Sequence, residues 1–374
     1  MAARLAFRHV SCIRFRPVFG TTIQTHKILP IKLSLPAFPS SPSLRRSFSQ
    51  SSYTMSSSTY TLQRTGDKMP AIGFGTWKIP RPQTAETVYN AIKAGYRLFD
   101  GAADYGNEKE AGEGINRAIS EGIVTREELW ITSKVWNTNH KKEHVLDSAK
   151  FQLGLWGIQY FDLYLVHFPV SLEHVKREDK YPPEWWGLDG KVHPVRGIPF
   201  RETWEAMEEL VDAGLAKNIG VSNTNGSLLI DIFSYARYQP QVLQVEIHPY
   251  LTQEALIKLT KDLDIVITAY CSFGPASWVE LGMHGHVTSL LENDTVTKIA
   301  GAVGKSPAQV LLRWALQQGL AVIPKSNSAD RLAANFDSAS FDLSPEQIKE
   351  ISSLNVNYRM NDPASIHPHL AIFA

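Results

Sequence analysis

The regular alternation of strand-like and helical stretches after residue 60 is the feature that most constrains the fold of this chain. Eight short apolar runs have the length and residue types that favour β-strands, and helical patterns separate most of them. Strict alternation indicates a parallel sheet, because parallel neighbours need a crossover connection. Eight such units in about 300 residues predict a single (β/α)₈ TIM barrel. The strand-like runs occupy residues 71–77, 96–100, 129–134, 161–167, 218–223, 242–247, 265–270 and 321–325.

The stretches between and before these runs support the same architecture. Helical periodicity covers residues 84–94, 108–120, 143–153 and 204–213. A turn at residues 65–67 separates two short runs, which predicts an N-terminal β-hairpin. Residues 171–199 are rich in Pro, Gly and Trp and are predicted to form an ordered loop. A doubly wound open sheet is the alternative fold, and it is disfavoured because no Gly-x-Gly-x-x-Gly follows a strand and opens a helix.

The first 54 residues differ in composition from the rest of the chain. They contain eight basic residues, many serines and no acidic residue, which is typical of a targeting segment. Residues 46–49 (Arg-Ser-Phe-Ser) resemble a mitochondrial processing site, whereas Met55 offers a second start for translation. We therefore expect residues 1–54 to be a disordered leader or an alternative N-terminus, and residues 55–374 to form the barrel. Mitochondrial import and cytosolic initiation both remain open.

The charge and cysteine content of the body exclude several classes of protein. Of 38 basic residues, 30 lie outside the leader, against 37 acidic residues, so the body carries a formal charge of −7. An acidic body argues against a nucleic-acid partner. Two cysteines, Cys12 and Cys271, are too few for a disulfide framework, which indicates a reducing compartment. No apolar run approaches the roughly 18 residues that a membrane-spanning helix needs.

Polar side chains stand where the strand-like runs end. In a barrel the carboxyl ends of all the strands meet at one face, so these side chains should line a single pocket. Tyr105 lies in the loop that follows the second of these runs. The strand-end residues are Asp100, Lys134, His167, Ser222 with Asn223, Gln244, Tyr270 and Lys325.

Four of these residues could act together as a general-acid site. Tyrosine is a poor acid at neutral pH because its ordinary pKa is near 10, and we expect the Lys134 ammonium to lower the pKa of Tyr105. Asp100 could hold the lysine, and His167 could bind the oxygen that receives the proton. Such a site suits the conversion of a carbonyl into an alcohol. Without any catalytic role, a buried Lys–Asp ion pair and unrelated polar residues at strand ends would explain any one of these residues. They would not explain all four residues together.

Seven motifs together resemble those of the aldo-keto reductases, and among these the fungal D-xylose (aldose) reductases. The resemblance extends from about residue 60 to residue 373, essentially all of the chain after the leader, and as a set the motifs are highly specific. The motifs are Ile-Gly-Phe-Gly-Thr-Trp (72–77), Phe-Asp through Tyr-Gly-Asn-Glu (99–108), Ser-Lys (133–134), Tyr-Leu-Val-His-Phe-Pro (164–169), Gly-Val-Ser-Asn (220–223), residues 244–253 and Ile-Pro-Lys-Ser-Asn (323–327).

The resemblance implies a role for each of these groups of residues. It implies a catalytic tetrad of Asp100, Tyr105, Lys134 and His167, in which Tyr105 donates the proton. It implies that Tyr270 stacks on a nicotinamide whose carboxamide binds Ser222, Asn223 and Gln244. The remaining cofactor contacts that it implies are Ser272, Phe273 and Gly274 near the pyrophosphate, Glu280 with Asn327 for NADH, and Lys325, Ser326, Asn327, Arg331 and Asn335 around the 2′-phosphate and adenosine. The implied substrate pocket consists of Trp77, Asp104, His167, Phe168 and Asn361.

The chain departs from the family pattern at a few positions. Cys271 stands where serine is usual, and Ala334 replaces a glutamate that is common in the adenine site. Residues 224–225 (Thr-Asn) differ at the expected edge of the substrate pocket, and residues 185–187 (Trp-Trp-Gly) differ from the D-xylose reductases as well. The change at Ala334 puts one adenine contact in doubt, and the change at residues 185–187 makes the exact sugar less secure than the chemistry.

Three functions remain open at this point. The resemblance favours an NADPH-dependent aldose reductase, with NADH as a second cofactor, that acts on an open-chain sugar such as D-xylose. The alternative is a broad aldehyde, glyceraldehyde or L-arabinose reductase, because Trp77, Trp136 and Phe168 suit an apolar aldehyde equally well. A catalytically idle, cofactor-sensing subunit is the third, disfavoured since all four tetrad residues are present. We expect a small-molecule substrate, no metal, no nucleic-acid or membrane partner, and a monomer or homodimer, in the cytoplasm or in mitochondria.

Overall fold

Eight short strands, each hydrogen-bonded in parallel to its neighbours, form the central sheet of the protein. The computed structural model describes residues 59–274 and 287–374. The predicted leader therefore lies outside the described residues. Two hairpin strands, β1 (Thr59–Thr61) and β2 (Lys68–Pro70), are followed by the sheet strands β3 (Gly73–Gly75), β4 (Leu98–Asp100), β5 (Trp130–Val135), β6 (Phe161–Val166), β7 (Ala216–Ser222), β8 (Val242–Glu246), β9 (Val266–Tyr270) and β10 (Ala321–Val322).

The two edges of this sheet meet and close it into a barrel. Neighbours in the sheet follow chain order from β3 to β10. Ile72, directly before β3, pairs in parallel with Val322 of β10. The Val322 amide donates to the Ala71 carbonyl at 2.9 Å, and the Gly75 amide donates to the Pro324 carbonyl at 3.3 Å. The predicted (β/α)₈ barrel is confirmed, and the open-sheet alternative is wrong.

The N-terminal hairpin covers one end of the barrel interior. Strands β1 and β2 pair antiparallel, as predicted. Leu62 and Met69 from the hairpin pack in one cluster with Leu98 and Leu163, which begin or lie early in their strands. Asn218 near the start of β7 donates to the Asp67 carboxylate at 2.8 Å. Because the hairpin occupies this end, the opposite end, where the strands finish, is left for a site.

Helices connect the strands, and most predicted bounds hold to within a few residues. The first helix begins at Arg81 rather than at residue 84, because Pro82 fits the first turn, where an N–H is not needed. The third extends to Trp156 and ends at Gly157, whose φ is 65°. The helices in the described ranges are α1 (Arg81–Lys93), α2 (Glu108–Ser120), α3 (Lys142–Trp156), α4 (Phe200–Asp212), α5 (Gly226–Tyr235), α6 (Glu254–Asp262), α7 (Asp294–Val303), α8 (Pro307–Gln317), α9 (Ala329–Phe336) and α10 (Pro345–Ser352).

The burial pattern explains why the central strands read as nearly continuous apolar runs. Every residue of β4, β5 and β6 is buried. A parallel sheet covered on both faces has this pattern, since side chains pointing inward fill the barrel and those pointing outward meet the helices. Among the described residues, no helix is both long and apolar enough to cross a membrane.

Two irregular segments lie beside the carboxyl ends of the strands. Residues 171–199 contain no helix and only one isolated bridge, Leu172 with Pro194, in agreement with the predicted loop. The C-terminal segment returns to β8, where the Glu246 carboxylate accepts hydrogen bonds from the backbone amides of Met360 (2.9 Å) and Asn361 (2.8 Å). The barrel scaffold thus brings both segments to the end where the polar strand-end residues lie.

Candidate active site

The four residues predicted to form a general-acid site lie together at the carboxyl end of the barrel. Asp100 is the last residue of β4, Lys134 is the fifth residue of β5, and His167 directly follows β6. Tyr105 ends a short 3₁₀ turn (Ala103–Tyr105) between β4 and α2. Neighbouring parallel strands therefore place Asp100, Lys134 and His167, which are 33 to 67 positions apart in the chain, around one point.

The Lys134 ammonium is the centre of this group. It donates to Asp100 Oδ1 at 2.6 Å, to the Gly101 carbonyl at 2.8 Å and to the Tyr105 hydroxyl oxygen at 3.2 Å. The lysine is fully buried, and the Asp100 side chain is 3% exposed. Gln244 donates to the other Asp100 oxygen at 2.7 Å. All three ammonium protons thus have an acceptor, which fixes the lysine beside the tyrosine hydroxyl.

The pKa of Tyr105 moves in the direction opposite to our expectation. Burial of the hydroxyl raises the pKa of Tyr105 well above its ordinary value near 10, and the carboxylates of Asp100 and Asp104 raise the pKa further. The expected lowering by Lys134 is therefore wrong for this structure. Burial and the two carboxylates outweigh the stabilisation that the Lys134 ammonium, 3.2 Å from the hydroxyl oxygen, gives the phenolate. Tyr105 consequently keeps its proton at neutral pH.

His167 stands beside the tyrosine with its ring at the edge of the cavity. The two ring centres lie 5.9 Å apart, nearly edge to face. His167 Nδ1 lies 3.2 Å from an Asp104 carboxylate oxygen, close enough for an ion pair when the imidazole is protonated. The two atoms are not aligned for a hydrogen bond. A polar substrate oxygen could therefore be met by the imidazole and the tyrosine hydroxyl together.

A cavity of about 830 Å³ opens over these residues. Asp104, Asn361 and Asp362 supply polar groups to its lining. Trp185, from the long loop, contacts Trp136 with 5.0 Å between ring centres. The aromatic side chains in the lining are Trp77, Tyr105, Trp136, Phe168, Trp185, Trp186, Tyr270 and Phe273. Trp136, Phe168 and Trp185 pack against one another in this lining and form an aromatic wall.

The residues expected around a nicotinamide carboxamide form a connected polar group. Tyr270 donates its hydroxyl proton to Asn223 Oδ1 at 2.6 Å and accepts from the Asn361 amide at 3.0 Å. Asn223 Nδ2 donates to the His167 carbonyl at 2.9 Å, and Ser222 donates to the Gln244 carbonyl at 2.8 Å. Ser222, Asn223 and Gln244 are each at least 95% buried. The strand ends thus hold these side chains rigidly, and their contacts with a cofactor stay a prediction.

The segment after β9 has features that fit a bound phosphate-containing group. Ser272 Oγ is buried, and the described residues provide no hydrogen-bond partner for it. Gly274 has a φ of 59°, a backbone conformation that favours glycine, and an added Cβ would lie 2.5 Å from the Leu290 side chain. Phe273 is partly buried beside the core. Glu280, the other residue expected in this region, lies outside the described residues.

The segment after β10 presents two cations near the start of α9. Lys325 lines the cavity, and Arg331 lies exposed in the first turn of α9. Neither cation forms an ion pair with an acidic residue in the described ranges. Arg331 Nε donates to Ser326 Oγ at 3.2 Å, and Asn327 donates to Gln83 at 3.3 Å. Asn335 is buried in the last turn of α9.

Several residues that build this site were not predicted from the sequence. Glu246 holds the C-terminal segment through two backbone amides, and Asp362, Ser365 and Ile366 from that segment line the cavity. The segment has no periodic pattern, so its return to the barrel leaves no local signal. Lys78 and Met360 also line the cavity without having been predicted.

Comparison with known proteins adds an independent finding. A model of the aldo/keto reductase family matches residues 71–356. A probable NAD(P)H-dependent D-xylose reductase of Arthroderma otae is 52% identical over 310 residues, which are 82% of this chain and 94% of that protein. The 4-dihydromethyl-trisporate dehydrogenase of Mucor mucedo is 52% identical over 320 residues, covering 85% of this chain and 100% of that protein. The solved aldose reductase of Schistosoma japonicum superposes with a TM-score of 0.75 at 34% identity, covering 84% and 97% of the two chains.

Proposed function

This chain belongs to the aldo/keto reductase family, and from that premise we propose that it reduces an aldose or another aldehyde to the alcohol with NAD(P)H. The observation that carries the proposal is the buried Lys134 ammonium, which joins Asp100 to the Tyr105 hydroxyl at the floor of the cavity. A family member without catalytic activity would not need a buried ion pair at this place, because such pairs add little stability by themselves.

Each of the four residues has a separate task in the proposed reaction. Tyr105 gives its hydroxyl proton to the substrate oxygen as the carbonyl carbon is reduced. Lys134 donates to the tyrosine oxygen and so stabilises the negative charge that the oxygen acquires. Asp100 keeps the lysine charged and oriented, and His167 orients the substrate carbonyl. The reduced nicotinamide, when bound, supplies the hydride.

The residues near the last two strands fit a dinucleotide with an additional phosphate. The unpartnered Ser272 hydroxyl and the close approach permitted by Gly274 suit a phosphate group beside the backbone. Lys325 and Arg331 offer two positive charges near the amino end of α9, which itself favours an anion. We therefore propose that NADPH is the preferred cofactor and that NADH binds more weakly.

Arg331→Ala should weaken NADPH while leaving NADH almost unchanged. A hydrogen bond to a charged group is worth about 1.5–3 kcal/mol, so the dissociation constant of NADPH should rise roughly ten- to a hundredfold. Fluorescence titration with each cofactor measures both constants. Lys349→Ala, a change of another exposed cation on α10, serves as the control and should alter neither. Equal weakening of both cofactors by Arg331→Ala would show that the arginine does not contact the 2′-phosphate.

The same cavity also supports a second candidate, a reductase of broader aldehydes. The aromatic wall that includes Trp136, Phe168 and Trp185 suits an apolar aldehyde, whereas Asp104 and Asn361 suit sugar hydroxyls. Two relatives illustrate the range, since one is named for D-xylose and the other for a trisporate. Values of kcat/KM for xylose, arabinose, glyceraldehyde and an aromatic aldehyde, each with NADPH and NADH, distinguish the two candidates.

We also propose that the leader, residues 1–54, takes no part in catalysis. The Mucor relative is matched over its whole length by 85% of this chain, which supports a barrel that works without the leader. A chain that begins at Met55 should have kcat/KM and a melting temperature within experimental error of those of the full chain. Loss of activity on truncation would contradict this. Terminal sequencing of the protein from cytosolic and mitochondrial fractions decides between the two compartments.

A further inference from the structure

A buried carboxylate, Glu108, lies behind the reacting residues and has no task in the proposed mechanism. Glu108 is the first residue of α2 and is 1% exposed. Within the described part of the chain, no lysine, arginine or histidine forms an ion pair with it. A carboxylate that is removed from water and lacks a cation is costly unless its oxygens accept several hydrogen bonds. Its position therefore calls for an explanation other than a salt bridge.

Neutral donors from three other segments surround the Glu108 carboxylate. Ser133 Oγ of β5 donates to Oε1 at 2.5 Å. From α3, Trp156 Nε1 donates to Oε1 at 2.7 Å, and Gln152 Nε2 donates to the two oxygens at 3.0 and 3.1 Å. The Tyr181 hydroxyl of the long loop donates to Oε2 at 3.4 Å. Glu108 thus joins α2, β5, α3 and the long loop at one point.

Two opposing effects act on the charge of this carboxylate. Burial raises the pKa of Glu108, and the hydrogen bonds from Ser133 and Trp156 oppose the rise. Glu108 also stands at the amino end of α2, where the partial positive charge of the helix favours an anion. These contacts suit a carboxylate, because both of its oxygens only accept hydrogen bonds. A neutral amide of the same shape cannot fully replace it, because the NH₂ group of an amide donates.

The donors that Glu108 holds are in turn the groups that fix Lys134. Gln152 Nε2, bonded to Glu108, also donates to the Lys134 carbonyl at 3.2 Å. The Trp156 ring lies directly under Gly101, where an added Cβ would be 2.5 Å from the ring. The Gly101 carbonyl is one of the three acceptors of the Lys134 ammonium. Glu108 is therefore connected to the backbone of Lys134 through Gln152 and, through Trp156, to one of the acceptors of the Lys134 side chain.

We infer that Glu108 is a positioning residue for proton transfer: its carboxylate orients Gln152 and Trp156, and these hold Lys134 at hydrogen-bonding distance from Tyr105. The inference rests on the proposed function, because it concerns the proton step of that reaction. A displacement of about 1 Å at a reacting group can cost as much as roughly a hundredfold in rate. Disruption of the Glu108 contacts should therefore slow proton transfer without touching the cofactor.

Glu108→Gln tests the inference, because glutamine keeps the size of the side chain. Its amide oxygen can replace Oε1, but its NH₂ group then faces Gln152 Nε2, and two donors cannot bond. We expect kcat for glyceraldehyde with NADPH to fall about ten- to a hundredfold, while the dissociation constant of NADPH changes less than about twofold. The solvent deuterium isotope effect on kcat should rise, since proton transfer becomes more limiting. Steady-state kinetics in H₂O and D₂O and fluorescence titration measure these quantities.

Two further variants keep the test decisive. Ser133→Ala removes the shortest hydrogen bond to Glu108 and the acceptor of a 2.8 Å hydrogen bond from Gln152 Nε2. It should lower kcat several-fold with the same rise in isotope effect, even where Glu108→Gln fails to fold. Glu113→Gln alters an exposed carboxylate of the same helix and should change nothing. An unchanged kcat and isotope effect, with only a lower melting temperature, would overturn the inference. Absence of aldehyde reduction by the unaltered protein would instead overturn the proposed function, and the inference with it.

Discussion

Tyr105→Phe should lower kcat for aldehyde reduction by about a hundred- to ten-thousandfold, the usual contribution of a general acid. The substitution removes the hydroxyl that lies 3.2 Å from Lys134 Nζ and keeps the aromatic ring beside His167. The affinity for NADPH should change less than about twofold, since the cation pair after β10 is not altered. Steady-state kinetics and fluorescence titration of the same preparation measure the two effects.

The pH profile of the unaltered enzyme examines the same hydroxyl independently. Because burial raises the pKa of Tyr105 above 10, the protonated form that acts as the acid persists into alkaline solution. Deprotonation of Tyr105 should therefore not lower kcat for reduction at neutral or mildly alkaline pH. Tyr89→Phe, which removes a hydroxyl of α1 that is bonded to Glu121, is the matched control and should leave kcat unchanged. A Tyr105→Phe enzyme with near-native kcat would exclude Tyr105 as the proton donor.

The barrel was predictable because its pattern is local and repeated. Each strand shows its own apolar run, and the polar residue at its end marks the face where the chemistry lies, so the sequence pattern alone places Asp100, Lys134 and His167 together. The direction of the Tyr105 pKa was not predictable in this way. It depends on the burial of the hydroxyl and on its distance from the Asp100 and Asp104 carboxylates, which are properties of the folded cavity.

Some contacts of the site join segments that are far apart in the chain and have no helical or strand periodicity. These contacts could not be predicted from the sequence pattern. The C-terminal segment reaches the cavity because Glu246 binds the backbone amides of Met360 and Asn361, 114 and 115 positions further along the chain. A backbone amide carries no sequence information, so such a contact is invisible in the sequence. The position of Trp185 against Trp136 likewise follows from the course of the long loop.

Lys134→Met should destabilise the protein by about 3–5 kcal/mol, because it leaves the Asp100 carboxylate buried without its cation. The Asp100 side chain is 3% exposed, and its remaining partner is the Gln244 amide at 2.7 Å. The urea midpoint of unfolding measures the loss. Lys142→Met, which removes an exposed cation paired with Glu209, is the control and should lower the stability much less, because solvent screens an exposed ion pair.

The double variant Lys134→Met with Asp100→Asn separates stability from chemistry. The asparagine oxygen can still accept from Gln244, and neither charge of the Lys134–Asp100 pair remains, so the double variant should regain at least half of the lost stability. Its reductase activity should nevertheless stay as low as that of Lys134→Met, because no ammonium remains beside the Tyr105 hydroxyl. If the double variant proved less stable than the single one, the pair would be present for stability. Recovery of stability without activity would instead mean that the chain retains a buried ion pair for proton transfer.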